Sequence, residues 1–430
     1  MNTSIQGISS RIEVMAMLFV GNEYQTLTDF LSQSFIMEAA RLKPTFFTRK
    51  RKMTFSEIVL FILSGFKTST QVALNRFFHD SLEKRSPLSQ QALSKARSHF
   101  DHSPFEFFFR DQVSRRFSGE HEIRLLHGFQ VFAVDGSDVA LPDTPKLLEA
   151  FGGTGRKASS PTAKISLLYD VMNDFIVDAA IDRAGSSERG FAVKHMEKLS
   201  SFDNDIKKLL IFDRGYPSAE LISELETRGY YYLMRVKSKW NLDVDKVLQD
   251  SIVELKGKTK LRVVKFQLPS GETETLISNL FELAFDKFPE LYFKRWPIET
   301  KYDVLKNKLE LENFSGYTKN VILQDFWSTM YLSNMASVAK EEANATIREE
   351  RKDKVNRYEY VANLNQVIAT LREYLARACL AETVEERAYC LNFIMVSIKR
   401  SVVPVRPERT TKRPDTPRKT KFHHNRKSTR

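Results

Sequence analysis

Two segments of the sequence share one grammar. In FQVFAVDGS an apolar run delivers Asp135, with Gly136 directly behind it. In KLLIFDRGY a second apolar run delivers Asp213, with Gly215 two residues later. A carboxylate carried on a buried strand loses hydration unless something neutralises it. A divalent cation does so, and glycine beside the carboxylate admits close approach of a ligand or of backbone. The competing reading is a carboxylate that caps the turn after its strand. Two occurrences in one expected sheet favour a site.

A third acid lies far downstream, in YFKRWPIETKYDVLK. Tyr292, Arg295, Glu299 and Lys306 follow one another at intervals of three, four and seven. On a continuous α-helix, at about 100° per residue, they would stand at roughly 0°, −60°, −20° and −40°, one narrow stripe. An acid held between two cations can join a metal site while its neighbours bind phosphate oxygens. The plainer reading is an exposed face carrying a weak Arg295–Glu299 pair. Pro297 suits the first turn of a helix, so Tyr292 and Arg295 can belong to a preceding or kinked turn.

The elements that must position these residues are legible in outline. Residues 1–125 read as helical: TFSEIVLFILSGF and STQVALNRFFHDSLEK place apolar residues at three- and four-residue spacing, and Thr54 with Glu57 forms a capping-box pattern. Half of the 32 phenylalanines precede residue 128, and PFEFFF reads as bundle core rather than a platform for bases. From residue 128 the pattern turns to strands, with a hairpin expected at Asn173-Asp174. A helix over 188–202, a buried strand over 207–213, a helix over 218–229 and a strand over 230–237 follow. This alternation predicts a mixed sheet with helices on it. Residues 260–280 read as two further strands around Pro269-Ser270-Gly271, and helix returns from about 290 to 400.

Composition sets outer limits. The chain has 430 residues and a net charge of +12, which favours a polyanionic partner. Residues 404–430 hold ten Lys/Arg against two Asp/Glu, and subtracting that +8 leaves only +4 for the rest, so a nucleic-acid surface on the body requires clustering. The proline-rich, charged segment 402–430 is expected to be disordered. Cys379 and Cys390 fit no zinc or redox spacing and read as buried filler. No stretch reaches the roughly 18 apolar residues of a membrane span, so no membrane partner and a cytoplasmic, nucleoid-associated location are expected.

Taken together, Y-x2-R-x3-E-x6-K, RWPIE, VDGSDVALP, FGG followed by AKISLLYD, and DRGY resemble the insertion-sequence-four family of DDE transposases over residues 128 to 316. The order Asp, Asp, Glu is the same, and the step of 86 positions from Asp213 to Glu299 resembles the family's habit of placing a β-rich insertion there. The resemblance implies a mixed α/β fold with a ribonuclease H-like core. It implies that Asp135, Asp213 and Glu299 hold Mg²⁺ or Mn²⁺, as two ions, and that Tyr292, Arg295 and Lys306 contact double-stranded DNA. It further implies a homodimer on paired transposon ends, cutting there and joining to target DNA. Trp240, beside Lys237 and Lys239, is a candidate for stacking on a flipped base, against an ordinary core or surface tryptophan. SPLSQQALSKARSHF resembles the second helix of a helix-turn-helix, with Ser89 as cap and Gln90, Gln91, Ser94, Lys95 and Arg97 facing a groove, against a simple bundle helix. RKRK at 49–52 is a solvated loop or a phosphate contact.

The expected regions are a helical DNA-binding region (1–125), a catalytic core in two parts (126–237 and 289–401, the latter including the C-terminal helices), a β-rich insertion (238–288) and the basic tail (402–430). Two rivals remain at this point: an inactive or domesticated DNA-binding protein, and a ribonuclease H-like nuclease that never joins.

Overall fold

The computed structural model describes residues 19–49, 51–78, 88–118, 123–155, 158–202, 205–255 and 259–406. The chain forms two compact units that interleave along the sequence. One comprises Met1–Gln112, Ala140–Ala150 and Val304–Arg430, the other Val113–Val139 and Phe151–Asp303. Most of the basic tail, residues 407–430, lies outside the described residues, as do parts of the N-terminal region and Lys50 of the RKRK run.

The first unit is helical. Numbered along the chain, its N-terminal helices are α1 (Phe19–Ser32), α2 (Ser34–Ala40), α3 (Phe55–Leu63), α4 (Thr70–Phe77), α5 (Gln90–Arg97) and the start of α6 (Ser103–Ser118). The Thr54–Glu57 capping box opens α3, and Ser89 caps α5 through the Ala92 amide. The short α7 (Pro145–Phe151) belongs largely to this unit. The 33-residue α13 (Lys319–Arg351) is its spine and packs against α1, α3, α14 (Leu364–Leu380) and α15 (Val384–Arg400). Phe105, Phe108 and Phe109 are buried, as a bundle core requires, while Phe107 faces out. Cys390 is buried and Cys379 accepts a hydrogen bond from Thr28, so both are packing residues. A two-stranded ribbon, β10 (Tyr360–Ala362) with β11 (Val402–Pro404), completes the unit. No described helix is long and apolar enough to cross a membrane.

The second unit is built on a nine-stranded mixed sheet. Its strands are β1 (Phe129–Ala140), β2 (Gly153–Thr154), β3 (Ser160–Asp170), β4 (Phe175–Arg183), β5 (Lys207–Phe212), β6 (Tyr231–Arg235), β7 (Asp250–Glu254), β8 (Lys260–Gln267) and β9 (Thr273–Ser278). The order is β2-β3-β1-β5-β6-β9-β8-β7, with β4 pairing β3. β3 and β4 form the expected hairpin, turning at Asn173 and Asp174, with Asp174 left-handed at φ 48°. β1, β5 and β6 run parallel. Parallel neighbours require a crossover, supplied by α8 (Glu188–Leu199) and α9 (Ala219–Thr227), each capped by a serine, Ser187 and Ser218. An antiparallel hairpin followed by parallel strands joined through helices, in the order β4-β3-β1-β5-β6, is the ribonuclease H-like core that the sequence resemblance implies. Leu209 to Phe212 are fully buried in it.

The β-rich stretch joins that sheet. β9 lies antiparallel on β6, and β8 and β7 continue outward. The short α10 (Leu242–Lys246) precedes β7. Beyond β9 come α11 (Lys287–Phe293) and α12 (Pro297–Asp303), then a π-helical turn over Val304–Lys308.

Candidate active site

The parallel pairing of β1 with β5 ends at Val134 opposite Phe212. The next residues on the two strands are Asp135 and Asp213. Continuing the register sets them side by side, on strands about 4.8 Å apart. The backbone of Asp135 is clamped: its carbonyl accepts from Ser166 Oγ at 3.1 Å and from Tyr302 Oη at 2.7 Å. Ser166 in turn meets His195 Nε2 at 3.0 Å, and His195 Nδ1 lies 2.6 Å from Asp178 Oδ2, all of them buried.

Burial pushes the Asp135 carboxyl up to about 6, and the negative charges of Glu188 and Asp213 push the same way. The Gly136 amide, 2.9 Å from Oδ1, and the Arg295 guanidinium pull it back down. Asp213 carries a buried Oδ1 with no hydrogen-bond partner. Such an orphaned carboxylate oxygen is costly in a protein interior unless a cation or donor meets it.

Glu299 sits in the first turn of α12, where the helix dipole favours negative charge. Two contacts dock this helix. Tyr302, one turn after Glu299 and on the same face, bonds the Asp135 carbonyl. Buried Lys301 pairs with Asp174 at 2.7 Å and lies over the Tyr169 ring at 5.4 Å. Glu299 accepts from Arg295 Nη2 at 2.7 Å. Arg295 also feels the charge of Asp213, so its guanidinium offsets negative charge from all three acids.

The stripe expected of one continuous helix is broken. α11 ends at Phe293 and α12 begins at Pro297, because proline cannot donate the amide a continuing helix requires. Tyr292 packs in the core with Leu209, Ile211 and Leu276. Its hydroxyl is buried without a partner; burial pushes its pKa up to about 12, with Arg295 and Asp213 both within electrostatic reach. Arg295 is likewise buried, with an unpartnered Nε. Both residues therefore line the site from within instead of forming an outer face. Lys306 lies in the π turn, in the helical unit, with Nζ 3.9 Å from Glu312.

One acid at this site went unread in the sequence. A Cβ added to Gly136 would stand 2.9 Å from Glu188 Oε1, and one added to Gly215 would stand 3.7 Å from Glu188 Oε2. The glycines behind both aspartates thus border the Glu188 carboxylate, which also pairs with Lys164 at 2.9 Å; Lys164 reaches Asp138 at 3.3 Å. Glu188 follows the cap Ser187, and the only signal in the sequence was an acid in the first turn of a crossover helix.

These donors fit divalent ions in kind: hard carboxylate oxygens, one orphaned and one raised by burial. Among the described residues no three acidic, histidine or cysteine side chains are gathered around one point. Uncompensated carboxylates repel, and Glu299 is drawn to Arg295 instead.

The remaining candidates lie elsewhere. Trp240 is half-buried in the loop before α10, and its backbone amide donates to Lys237. Lys95 is exposed on α5 with Gln91 and Ser94. Arg97 does not face a groove. It stands one turn beyond buried Leu93, is itself buried, and pairs with Asp325 at 2.9 Å and Gln324 at 3.0 Å on α13.

Comparisons with known proteins find similar chains. Residues 126–335 match the family described as Transposase DDE domain, a span that contains both aspartates and Glu299. The putative transposase InsZ of Escherichia coli (strain K12) is 23% identical over 235 residues, 54% of this chain and 75% of that protein. A putative transposase for insertion sequence element IS4SA of Synechocystis sp. is 28% identical over 149 residues, 32% of this chain and 43% of that one. The transposase for insertion sequence element IS231B of Bacillus thuringiensis subsp. berliner is 24% identical over 221 residues, 50% and 44% respectively. The chain therefore spans under half the length of the last two relatives. A cryo-EM structure of the piggyBac transposase synaptic complex with hairpin DNA is similar at a TM-score of 0.46 and 11% identity, covering 92% of this chain and 86% of that one. Residues 126–335 thus match a transposase DDE domain, and the chain is similar to transposases of insertion sequences, one of them of the insertion-sequence-four type.

Proposed function

We propose that this transposase cuts DNA at the ends of its element and joins the freed ends to target DNA, with Asp135, Asp213 and Glu299 holding a pair of Mg²⁺ or Mn²⁺ ions. The observation that carries the reading is the β1–β5 register, which sets Asp135 beside Asp213, together with the Tyr302 bond that docks the Glu299 helix on Asp135. Divalent ions bound there would activate a water or 3′-hydroxyl and stabilise the departing oxygen in an in-line attack on phosphorus. The chain's own residues do the positioning. Ser166 and Tyr302 fix the Asp135 backbone, and Arg295 holds Glu299 while its Nε is left to meet a phosphate oxygen. The hydroxyls of Tyr292 and Tyr216, both buried and unpartnered, are further donors toward the reacting group. Lys306, Lys95 and Trp240 are proposed as DNA contacts, and two copies as the unit that holds paired ends.

The test is a cleavage and joining assay on duplexes carrying the inverted repeats that flank the coding region. Wild type cuts only with Mg²⁺ or Mn²⁺ and joins a pre-cleaved end to plasmid. Asp135→Ala, Asp213→Ala and Glu299→Ala each abolish cutting while retaining one cooperative melting transition. Cutting without joining supports a nuclease instead, and cutting undiminished in the variants overturns the assignment.

A further inference from the structure

Beyond the matched domain, the C-terminal turn of α13 and the loop leading to β10 line an open cavity of about 270 Å³. Its cationic wall is Arg348, Arg351, Lys354 and Arg357, and Glu359 is its only acid. That acid lies 3.9 Å from Arg348, with both side chains more than half exposed, so it offsets little of the charge. The two glutamates just before Arg351 serve other cations: Glu349 pairs with Lys352 and Glu350 with Lys399. Among the described residues, Arg351, Lys354 and Arg357 have no ion-pair partner.

The arginines are held by rings instead. The Arg351 guanidinium lies 4.7 Å from the Tyr360 ring centre, and that of Arg357 lies 5.2 Å from the Tyr358 ring centre. Arg406, just past β11, approaches the same Tyr358 ring at 5.9 Å. A carboxylate partner fixes a guanidinium by occupying its N–H donors. A ring face fixes it and leaves the donors in the guanidinium plane free. Cations oriented in this way and left with their hydrogen-bonding capacity form a site for a tetrahedral oxyanion. The β10–β11 ribbon also brings Arg406, the start of the basic segment 404–430, to this cavity.

We propose that this cavity binds a backbone phosphate of DNA, giving the protein a sequence-independent anchor on the unit that does not carry its candidate active site. The ligand chemistry is a phosphodiester monoanion flanked by at least three cations, and its source is the DNA strand. The inference rests on the reading of the chain as a DNA-acting protein.

The test is fluorescence anisotropy of a labelled 24-base-pair duplex with the full chain, titrated across KCl concentrations. The variants are Arg351→Gln with Arg357→Gln, and separately the exposed Lys354→Gln, which removes charge without touching packing. The double variant is expected to bind about tenfold more weakly near 100 mM KCl, with a salt slope smaller by about one to two, and Lys354→Gln to shift the same way by less. Unchanged affinity and slope in both variants overturns the proposal. Inorganic phosphate at matched ionic strength separates the sources. If it stabilises wild type against heat but not the double variant, while duplex affinity is equal in the two, the cavity takes a free anion and the proposal fails. Wild type that binds no duplex rejects the DNA reading itself, whereas Asp135→Asn that binds like wild type leaves the cavity's role independent of the chemistry.

Discussion

Asp135 is held in a condition that a water-exposed carboxylate would not accept. Its folded-state pKa of about 6 lies above the unfolded value of about 3.9. Between those values the folded chain keeps a proton that the unfolded chain has lost, so stability falls as pH rises through pH 4 to 6 and stays lower above it. Without divalent ions, Asp135→Asn should therefore be more stable than wild type at pH 8, by about 1–3 kcal/mol, and equal to it at pH 4. Urea unfolding in EDTA at the two pH values checks this. Gly136→Ala tests the neighbouring carboxylate: its Cβ would meet Glu188 Oε1 at 2.9 Å, so Glu188 must move, and cleavage should fall at least about tenfold for a displacement of this size near reacting groups. Circular dichroism should show an unchanged fold. Both aspartates and Glu299 could be proposed from the sequence because each stands in a local pattern. Glu188 could not, since its place beside Gly136 and Gly215 arises only when a crossover helix packs across two strands.

Among the elements, α12 carries the most consequence. It is docked by the Tyr302 bond to Asp135 and by the buried Lys301–Asp174 pair. Tyr302→Phe removes one donor, at a cost of about 1 kcal/mol. If α12 positions Glu299, this change should lower kcat several-fold with KM little altered, measured by single-turnover cleavage. The hairpin at Asn173-Asp174, the capping box at Thr54 and the break at Pro297 could all be read from sequence, because turns, caps and prolines act through their immediate neighbours. The π turn after Asp303 could not, nor could the way β9 extends the sheet by pairing with β6, because both are set by contacts distant in sequence. The same reason misled the reading of Arg97: its helix resembles a groove-facing one, yet Arg97 turns inward to Gln324 and Asp325 of α13. Replacing Arg97 by Met removes the paired cation from Asp325, which burial disfavours as a carboxylate, and leaves it the Ser315 amide and hydroxyl bonds. This should cost about 3–5 kcal/mol of stability, and Asp325→Asn in the same chain should recover part of it in chemical denaturation.

At the scale of the whole molecule, charge and chemistry are separated along the chain. The described acids and cations of the candidate active site lie in the sheet unit, while the basic cavity belongs to the helical unit. Removing residues 407–430 takes away nine Lys/Arg against two Asp/Glu. Non-specific duplex affinity and its salt slope should fall, and cleavage at low salt with saturating DNA should not. Binding measured against KCl, beside single-turnover cleavage, checks both halves. Whether three carboxylates share divalent ions is read most directly by calorimetric titration of Mn²⁺ into the DNA-free protein. Wild type should show saturable binding that weakens at least about tenfold in each of Asp135→Asn, Asp213→Asn and Glu299→Gln, in keeping with the loss of one ligand from a shared site. Binding of equal strength and stoichiometry in wild type and all three variants would contradict it.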